Sequence, residues 1–243
     1  MERQQIIFRD LGVMDYQSAW DYQEKLLQEN VRRKSLVYSQ ESVGMELKTF
    51  DSGLPTQHHL LFVEHPPVYT LGKSGNKENV LLDDDELKAN NIQFFNTNRG
   101  GDITFHGPDQ IVGYPILDLE KFYTDIGKYL RNLEEVIILT LKEYGINGER
   151  SAGETGVWIE PGVIGRERKI CAIGVRCSRW ITMHGFAFNV NTELAYFNHI
   201  IPCGIVNKQV TSLEKELGNT MDVAEVKEKI KNNFESVFGA ELI

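Results

Sequence analysis

Residues 155–189 read TGVWIEPGVIGRERKICAIGVRCSRWITMHGFAFN. Three strand candidates, Thr155–Ile159, Lys169–Cys177 and Ile181–Asn189, fall in this one stretch, separated only by turns and short loops bearing Gly, Pro and charge. Strand-rich segments joined by turns and short loops rather than by regular crossover helices favour a mixed or antiparallel sheet. Upstream lie further strand candidates: Gln5–Asp10, His59–Glu64, Val68–Leu71 beyond the break at Pro66-Pro67, Ile92–Phe95, and Gln110–Leu117 with Tyr114-Pro115 near its end.

Helix signals frame these strands. Asp15 can cap a helix to about Arg33, with Ala19, Trp20, Leu26, Leu27 and Val31 as its apolar stripe. Asp83–Asn90 is a short helix with an acidic first turn. Thr124 or Asp125 caps a long helix to about Tyr144, ended by Gly145. Thr211 or Ser212 caps a short helix, and Asp222–Phe238 is amphipathic. Residues 41–57 are polar and read as a loop or a poorly paired hairpin. The expected fold class is α/β in the α+β sense: a mixed, largely antiparallel sheet flanked by helices. With no repeat or linker-like tract, residues 1–243 read as a single domain.

Composition narrows the function. Of 243 residues, 41% are hydrophobic and 25% charged, as in soluble globular chains. No apolar run approaches the ~20 residues of a membrane span, and the polar start Met1-Glu2-Arg3-Gln4-Gln5 lacks a signal peptide's apolar core. The expectation is a cytoplasmic protein without membrane association. A net charge of −9 removes the global basic footprint of nucleic-acid binding. Basic residues cluster locally at Arg166, Arg168, Lys169, Arg176 and Arg179, a candidate steering patch for acidic partners or ordinary surface charge. The three cysteines, Cys171, Cys177 and Cys203, form no zinc-like spacing and no disulfide framework, so free thiols are expected.

The chemistry concentrates in Arg99-Gly100-Gly101-Asp102-Ile103-Thr104-Phe105-His106-Gly107-Pro108-Asp109-Gln110. Paired glycines let the backbone turn tightly and approach a ligand, and Thr104 and His106 share one face of an extended chain. The pattern suits a small-ligand wall with a polar end; it equally suits a Gly turn opening a hairpin with a packed histidine. Cys203, between Pro202 and Gly204, suits a thiol held at a loop tip. By parity along their strand, Cys171 and Cys177 share the face of Lys169 and are rival nucleophiles, although strand cysteines usually act as small buried hydrophobes. Lys169 by itself reads as a solvated charge in Arg-Glu-Arg-Lys.

Four ordered segments change that balance. The run Arg99–Gln110 with Tyr114-Pro115, the upstream His65-Pro66-Pro67-Val68-Tyr69-Thr70-Leu71-Gly72, the downstream Lys169–Arg176 and His184–Asn191, and Ile201-Pro202-Cys203-Gly204 together resemble the lipoyl(octanoyl) transferases. The resemblance runs from about His65 to Gly204, giving a transferase core of about residues 60–215. It implies a biotin/lipoate protein ligase-like fold. It implies octanoyl transfer from octanoyl-acyl-carrier protein to lipoyl domains of 2-oxoacid dehydrogenases and to the glycine cleavage H protein, with no cofactor. Carried over residue by residue, it makes Cys203 the acylated nucleophile and Lys169 its activator. It assigns Arg99, Gly100, Gly101, Asp102, Ile103, Thr104, Phe105, His106, Ala172, Ile173, Gly174, Gly185, Phe186 and Ala187 to the acyl pocket. An ATP-dependent ligase of the same fold, a cysteine hydrolase and a non-catalytic carrier-binding module are the rival readings.

Overall fold

A computed structural model describes the backbone of residues 3–43, 55–201 and 209–243, and their side chains apart from 36–43. Two expectations therefore lie outside the described residues: Cys203 with its flanking Pro202 and Gly204, and the bulk of the 41–57 loop.

The chain opens with strand β1 (Gln4–Val13) and helix α1 (Tyr16–Val43). The Asp15 carboxylate accepts the Ser18 N–H at 2.9 Å, which caps the helix and lowers the Asp15 pKa. The helix runs past Arg33 because no Gly or Pro stands between Arg33 and Val43 to stop it. Its inner face is half polar. Ala19, Leu26 and Leu27 pack on the sheet, while Gln23, Asn30 and Lys34 are equally buried, each with a bonding partner. Asn30 holds the Gln57 backbone from both sides. Lys34 Nζ donates to Asp118 and to the Arg179 carbonyl.

Strands β2 (His58–Glu64), β3 (Val68–Leu71), β4 (Gln93–Asn96), β5 (Ile103–His106) and β6 (Gln110–Ile116) follow, with helix α2 (Asp84–Ala89) between β3 and β4. Asp83 closes α2 with a full capping box. Helix α3 (Ile126–Glu143), capped by Asp125 and ended before Gly145 in a left-handed conformation, precedes β7 (Gly148–Arg150), β8 (Val157–Ile159), β9 (Arg168–Ser178) and β10 (Ile181–Asn189). The chain ends with β11 (Gln209–Val210), α4 (Leu213–Leu217), α5 (Val223–Phe238) and β12 (Ala240–Leu242).

Among the described residues, nine strands form one sheet in the order β12-β1-β2-β6-β10-β9-β8-β7, with β11 joined to β9. Pairing is antiparallel from β2 through to β7 and parallel at β12/β1, β1/β2 and β11/β9. The mixed, largely antiparallel sheet with flanking helices is the expected class. A second sheet, β4-β3-β5, stands beside it. Helices α3 and α5 cover one face of the large sheet over a core including Leu133, Ile137, Phe186, Phe188, Ile230 and Phe234. Helix α1 covers part of the other face. The small sheet has its own apolar layer around Tyr69, Ile103 and Phe105.

Two irregularities shape the site. Between β8 and β9 the partners run Val157↔Cys171 then Trp158↔Lys169, so β9 carries an extra residue there. Such a bulge breaks the two-residue alternation of faces. In β10, His184 has φ 57° and faces the Tyr114-Pro115 part of β6, where proline can donate no ladder hydrogen bond. The His184 N–H leaves the ladder and donates to Gln23 Oε1 of α1 at 2.8 Å.

Candidate functional site

Between the small sheet and strands β6, β9 and β10 lies a cavity of ≈ 400 Å³, within the size range of small-molecule sites. Its walls come from residues far apart in sequence: Arg99 and the turn into β5, β6 from Gln110 to Tyr114, the 153–155 loop, β9, β10, and Tyr16 of α1.

Thirteen of the predicted residues line it: Arg99, Gly101, Asp102, Ile103, Thr104, His106, Lys169, Ala172, Ile173, Gly174, Gly185, Phe186 and Ala187. Gly100 and Phe105 are not among the lining residues. Phe105 points the other way, wholly buried in the small sheet and stacked on Tyr196 at 4.5 Å. Gly100 is held at the edge of β9, where its N–H donates to the Val175 carbonyl at 2.9 Å.

Gly174 and Gly185 stand where the backbone of neighbouring segments comes closest. A Cβ on Gly174 would lie 2.7 Å from the Gly100 carbonyl oxygen, and one on Gly185 would lie 2.1 Å from that of Gly113. Protein backbone already fills both spaces. These glycines let chain segments close on each other beside Ala172 and Ala187, while the side chains of the lining residues Ile173 and Phe186 belong to the core under α3 and α5.

Polar groups at the cavity wall form a directed network. Arg99 is buried, and its guanidinium donates to the carbonyls of Thr70, Gly100 and Asp102 and to Thr70 Oγ1. Thr70 Oγ1 accepts from Arg99 and donates to His106 Nε2 at 3.3 Å, which is the acceptor nitrogen because Nδ1 carries the proton given to Gln110. His106 Nδ1 then donates to Gln110 Oε1 at 2.8 Å. Gln110 Nε2 donates to the Phe105 carbonyl and to Asn189 Oδ1, and Asn189 passes a hydrogen bond to the Thr211 carbonyl. This order fixes His106 as one neutral tautomer, and burial, with His65 and Arg99 nearby, holds its pKa well below the usual range. His106 is thus a structural histidine at the wall, with both ring nitrogens bonded.

His184 is similar. Burial, then the charges of Arg99 and Arg176, push its pKa down to about 3. Its Nε2 donates to Asn98 Oδ1 at 2.7 Å, which leaves Nδ1 as a lone-pair acceptor.

Lys169 stands on β9 beside the bulge, half-buried, with its Nζ 4.6 Å from the centre of the Trp158 ring. Gly156, at φ +123°, faces it; a Cβ there would lie 3.5 Å from Lys169 Cε and 2.6 Å from the Cys171 carbonyl oxygen. The fully buried Glu134 of α3 accepts the Gly156 N–H at 3.0 Å and pairs with Arg131 and Arg150, fixing this loop. Cys171, which strand parity places on the face of Lys169, is fully buried in the α3/α5 core and absent from the cavity lining. The bulge is the physical reason. Burial raises the Cys171 pKa strongly, and Cys177, also shifted up by burial, is not at the cavity either.

The basic cluster is largely neutralised. Arg166 pairs with Glu160, Arg168 with Glu160 and Glu216, Arg176 with Glu24, and Arg179 donates to Ser35 Oγ. Sequence reading missed Tyr16, Val112 and the 153–155 loop as wall residues. Gln110 and Asn189, also missed as wall residues, lie inside motifs that carried the resemblance and were findable there.

Known proteins place this architecture. The Lipoyl protein ligase A/B catalytic domain family matches residues 15–235. The octanoyltransferase of Christiangramia forsetii is 56% identical over 237 residues, covering 96% of each chain. That of Flavobacterium johnsoniae is 56% identical over 239 residues, covering 98% of each. Among solved structures, a bipartite lipoate protein ligase from Thermoplasma acidophilum aligns with TM-score 0.65 at 16% identity, covering 100% of this chain and 86% of that one. A lipoate-protein ligase A bound with ATP aligns with TM-score 0.65 at 14% identity, covering 100% and 88%. At such identities these structures share the fold alone. The chain belongs to the lipoyl protein ligase A/B catalytic-domain family, and within it to the octanoyltransferases, which are acyl-transferring enzymes.

Proposed function

We propose that residues 1–243 form one catalytic unit that moves an octanoyl group from octanoyl-acyl-carrier protein to the ε-amine of a lysine on lipoyl domains, through a thioester on Cys203. The observation that carries this reading is the position of Lys169 in the wall of a cavity that also has Ala172, Ile173, Phe186 and Ala187 in its wall, beside the polar groups around Arg99 and His106. The names of the relatives at 56% identity supply the acyl group. The acceptors, lipoyl domains of 2-oxoacid dehydrogenases and the glycine cleavage H protein, follow from the motif resemblance.

In the first half-reaction the Cys203 thiolate attacks the thioester carbonyl, and the carrier's thiol leaves with the proton from Cys203. The exchange is close to isoenergetic, so no nucleotide is consumed. The cation of Lys169 favours the thiolate, the reactive form. In the second half-reaction the acceptor amine attacks the acyl-cysteine, an amide forms, and the Cys203 thiol is released. The nascent ammonium gives up its excess proton to a base, a role suited to Lys169 once its own proton has gone to the leaving thiol. The chain itself recovers apolar burial worth ~0.8 kcal/mol per methylene.

Intact-protein mass spectrometry after mixing with octanoyl-acyl-carrier protein, without ATP, tests the reading. The expected result is a hydroxylamine-labile octanoyl adduct on the native chain, and none, or a hydroxylamine-resistant one, on Cys203→Ser. Lack of any adduct, together with modification of a lipoyl domain by octanoate and ATP, would replace it with the ligase reading.

A further inference from the structure

The cavity has two unlike ends. At one, Gly153 is exposed and Glu154, Thr155 and Lys169 are half-buried. At the other, the walls are Tyr16, Tyr114 and His184, with only 2%, 3% and 1% of their surfaces exposed. Register orders the wall between them: Ala172 pairs with Ala187, Ile173 with Phe186, Gly174 with Gly185, and Val175 with His184. From Lys169 to Gly174 the strand advances roughly 15 Å at ~3.3 Å per residue. The first end carries the accessible residues, and at the second the buried rings of Tyr16, Tyr114 and His184 form the wall.

That wall is rigid. The Tyr16 ring lies parallel to that of His106, at 6.0 Å and 12°, and packs against Phe95 at 5.2 Å and His65 at 5.3 Å. Behind it, His65 Nδ1 donates to the Met14 carbonyl, so its Nε2 accepts from the Tyr114 hydroxyl at 2.8 Å. The corner that carries Tyr16 is thereby tied to the strand that carries Tyr114. Neither ring can swing aside as a methionine would, because packed rings on one side and a hydrogen-bonded chain on the other hold each in place.

We infer that Tyr16 is the floor of the acyl tunnel and sets the length of chain the enzyme accepts, rejecting acyl groups longer than octanoyl by steric exclusion. The inference rests on the acyl-transfer reading above and goes beyond it by naming what limits the substrate. Tyr16 touches no reacting atom; it acts on specificity alone.

The test is acyl-enzyme formation from hexanoyl-, octanoyl-, decanoyl- and dodecanoyl-acyl-carrier protein, in competition, for the native chain, Tyr16→Ala and Ala187→Val. Tyr16→Ala should raise the decanoyl-to-octanoyl ratio about ten-fold, the value of two newly buried methylenes. Ala187→Val, which narrows the middle of the tunnel, should move the preference toward hexanoyl. A folded Tyr16→Ala enzyme that keeps the native chain-length profile overturns the inference and leaves the acyl-transfer reading standing. Should Tyr16→Ala fail to fold, Tyr16→Leu takes its place, and an unchanged profile in that folded variant overturns the inference instead. A native chain that forms no adduct with any carrier overturns the acyl-transfer reading first, and the floor with it.

Discussion

Lys169 and Cys171 stand two residues apart, and their fates are opposite. Lys169 reaches the cavity with its ammonium over Trp158, whereas Cys171 is sealed under α3, its thiol pushed strongly toward the protonated form by burial. Cys171→Ala should therefore leave the octanoyl adduct intact, with no more than a small change in single-turnover rate. Loss of the adduct in that variant would make Cys171 the nucleophile. Lys169→Ala should slow acyl-enzyme formation at neutral pH by about 10²–10⁴-fold, the span of positioned proton-transfer groups. Its rate should climb as pH rises toward ~8.5, where an unassisted thiol ionises. A native single-turnover rate in Lys169→Ala would remove the lysine from the mechanism.

Strands β9 and β10 show how elements build the site. Their two-residue hairpin loop, Arg179-Trp180, has φ 51° and 65°, the sign a type I′ loop requires and one that non-glycine residues seldom adopt. Lys34 and the Leu119 N–H brace its carbonyls. Further along, Gly185 lets β10 close on β6 at Gly113, so Gly185→Ala should destabilise the fold by about 1–3 kcal/mol, as overpacking does. A thermal midpoint equal to that of the native chain would refute the close approach. Most elements were legible from the residues. The helix caps at Asp15, Asp125, Ser212 and Asp222 sit where short polar side chains precede apolar periodicity. The β5 strand was legible only as an extended run after paired glycines, and β7, β11 and β12 are two or three residues long, too short for any periodicity to register.

On the scale of the whole molecule, four histidines report on packing. Burial holds His58, His59 and His65 at about 4 and His184 at about 3, against 6.5 for the free group. Each folded-state value lies below the unfolded one, so between pH 6.5 and about 4 the unfolded chain binds more protons. Stability must then fall as pH drops through this window and stay level with respect to these groups above it. Thermal midpoints recorded from pH 7.5 to 4.5 should decline below about 6.5; a flat profile would mean that these rings are hydrated in the folded chain.

The sequence alone determined the local alternation of strands and turns, the helix starts, and the ordered motifs around Arg99, Lys169 and His184, because these depend on side chains within a few residues of one another. Only the tertiary structure decided which face Cys171 takes, since a bulge arises from pairing with β8 and leaves no mark on parity. It alone brought Tyr16 to the cavity, because that contact joins the first turn of α1 to β5 and β6 across some ninety residues of chain. It also decided what the glycines are for: the backbone that fills the space beside Gly174 and Gly185 comes from other strands and loops, and no reading of neighbouring residues contains it.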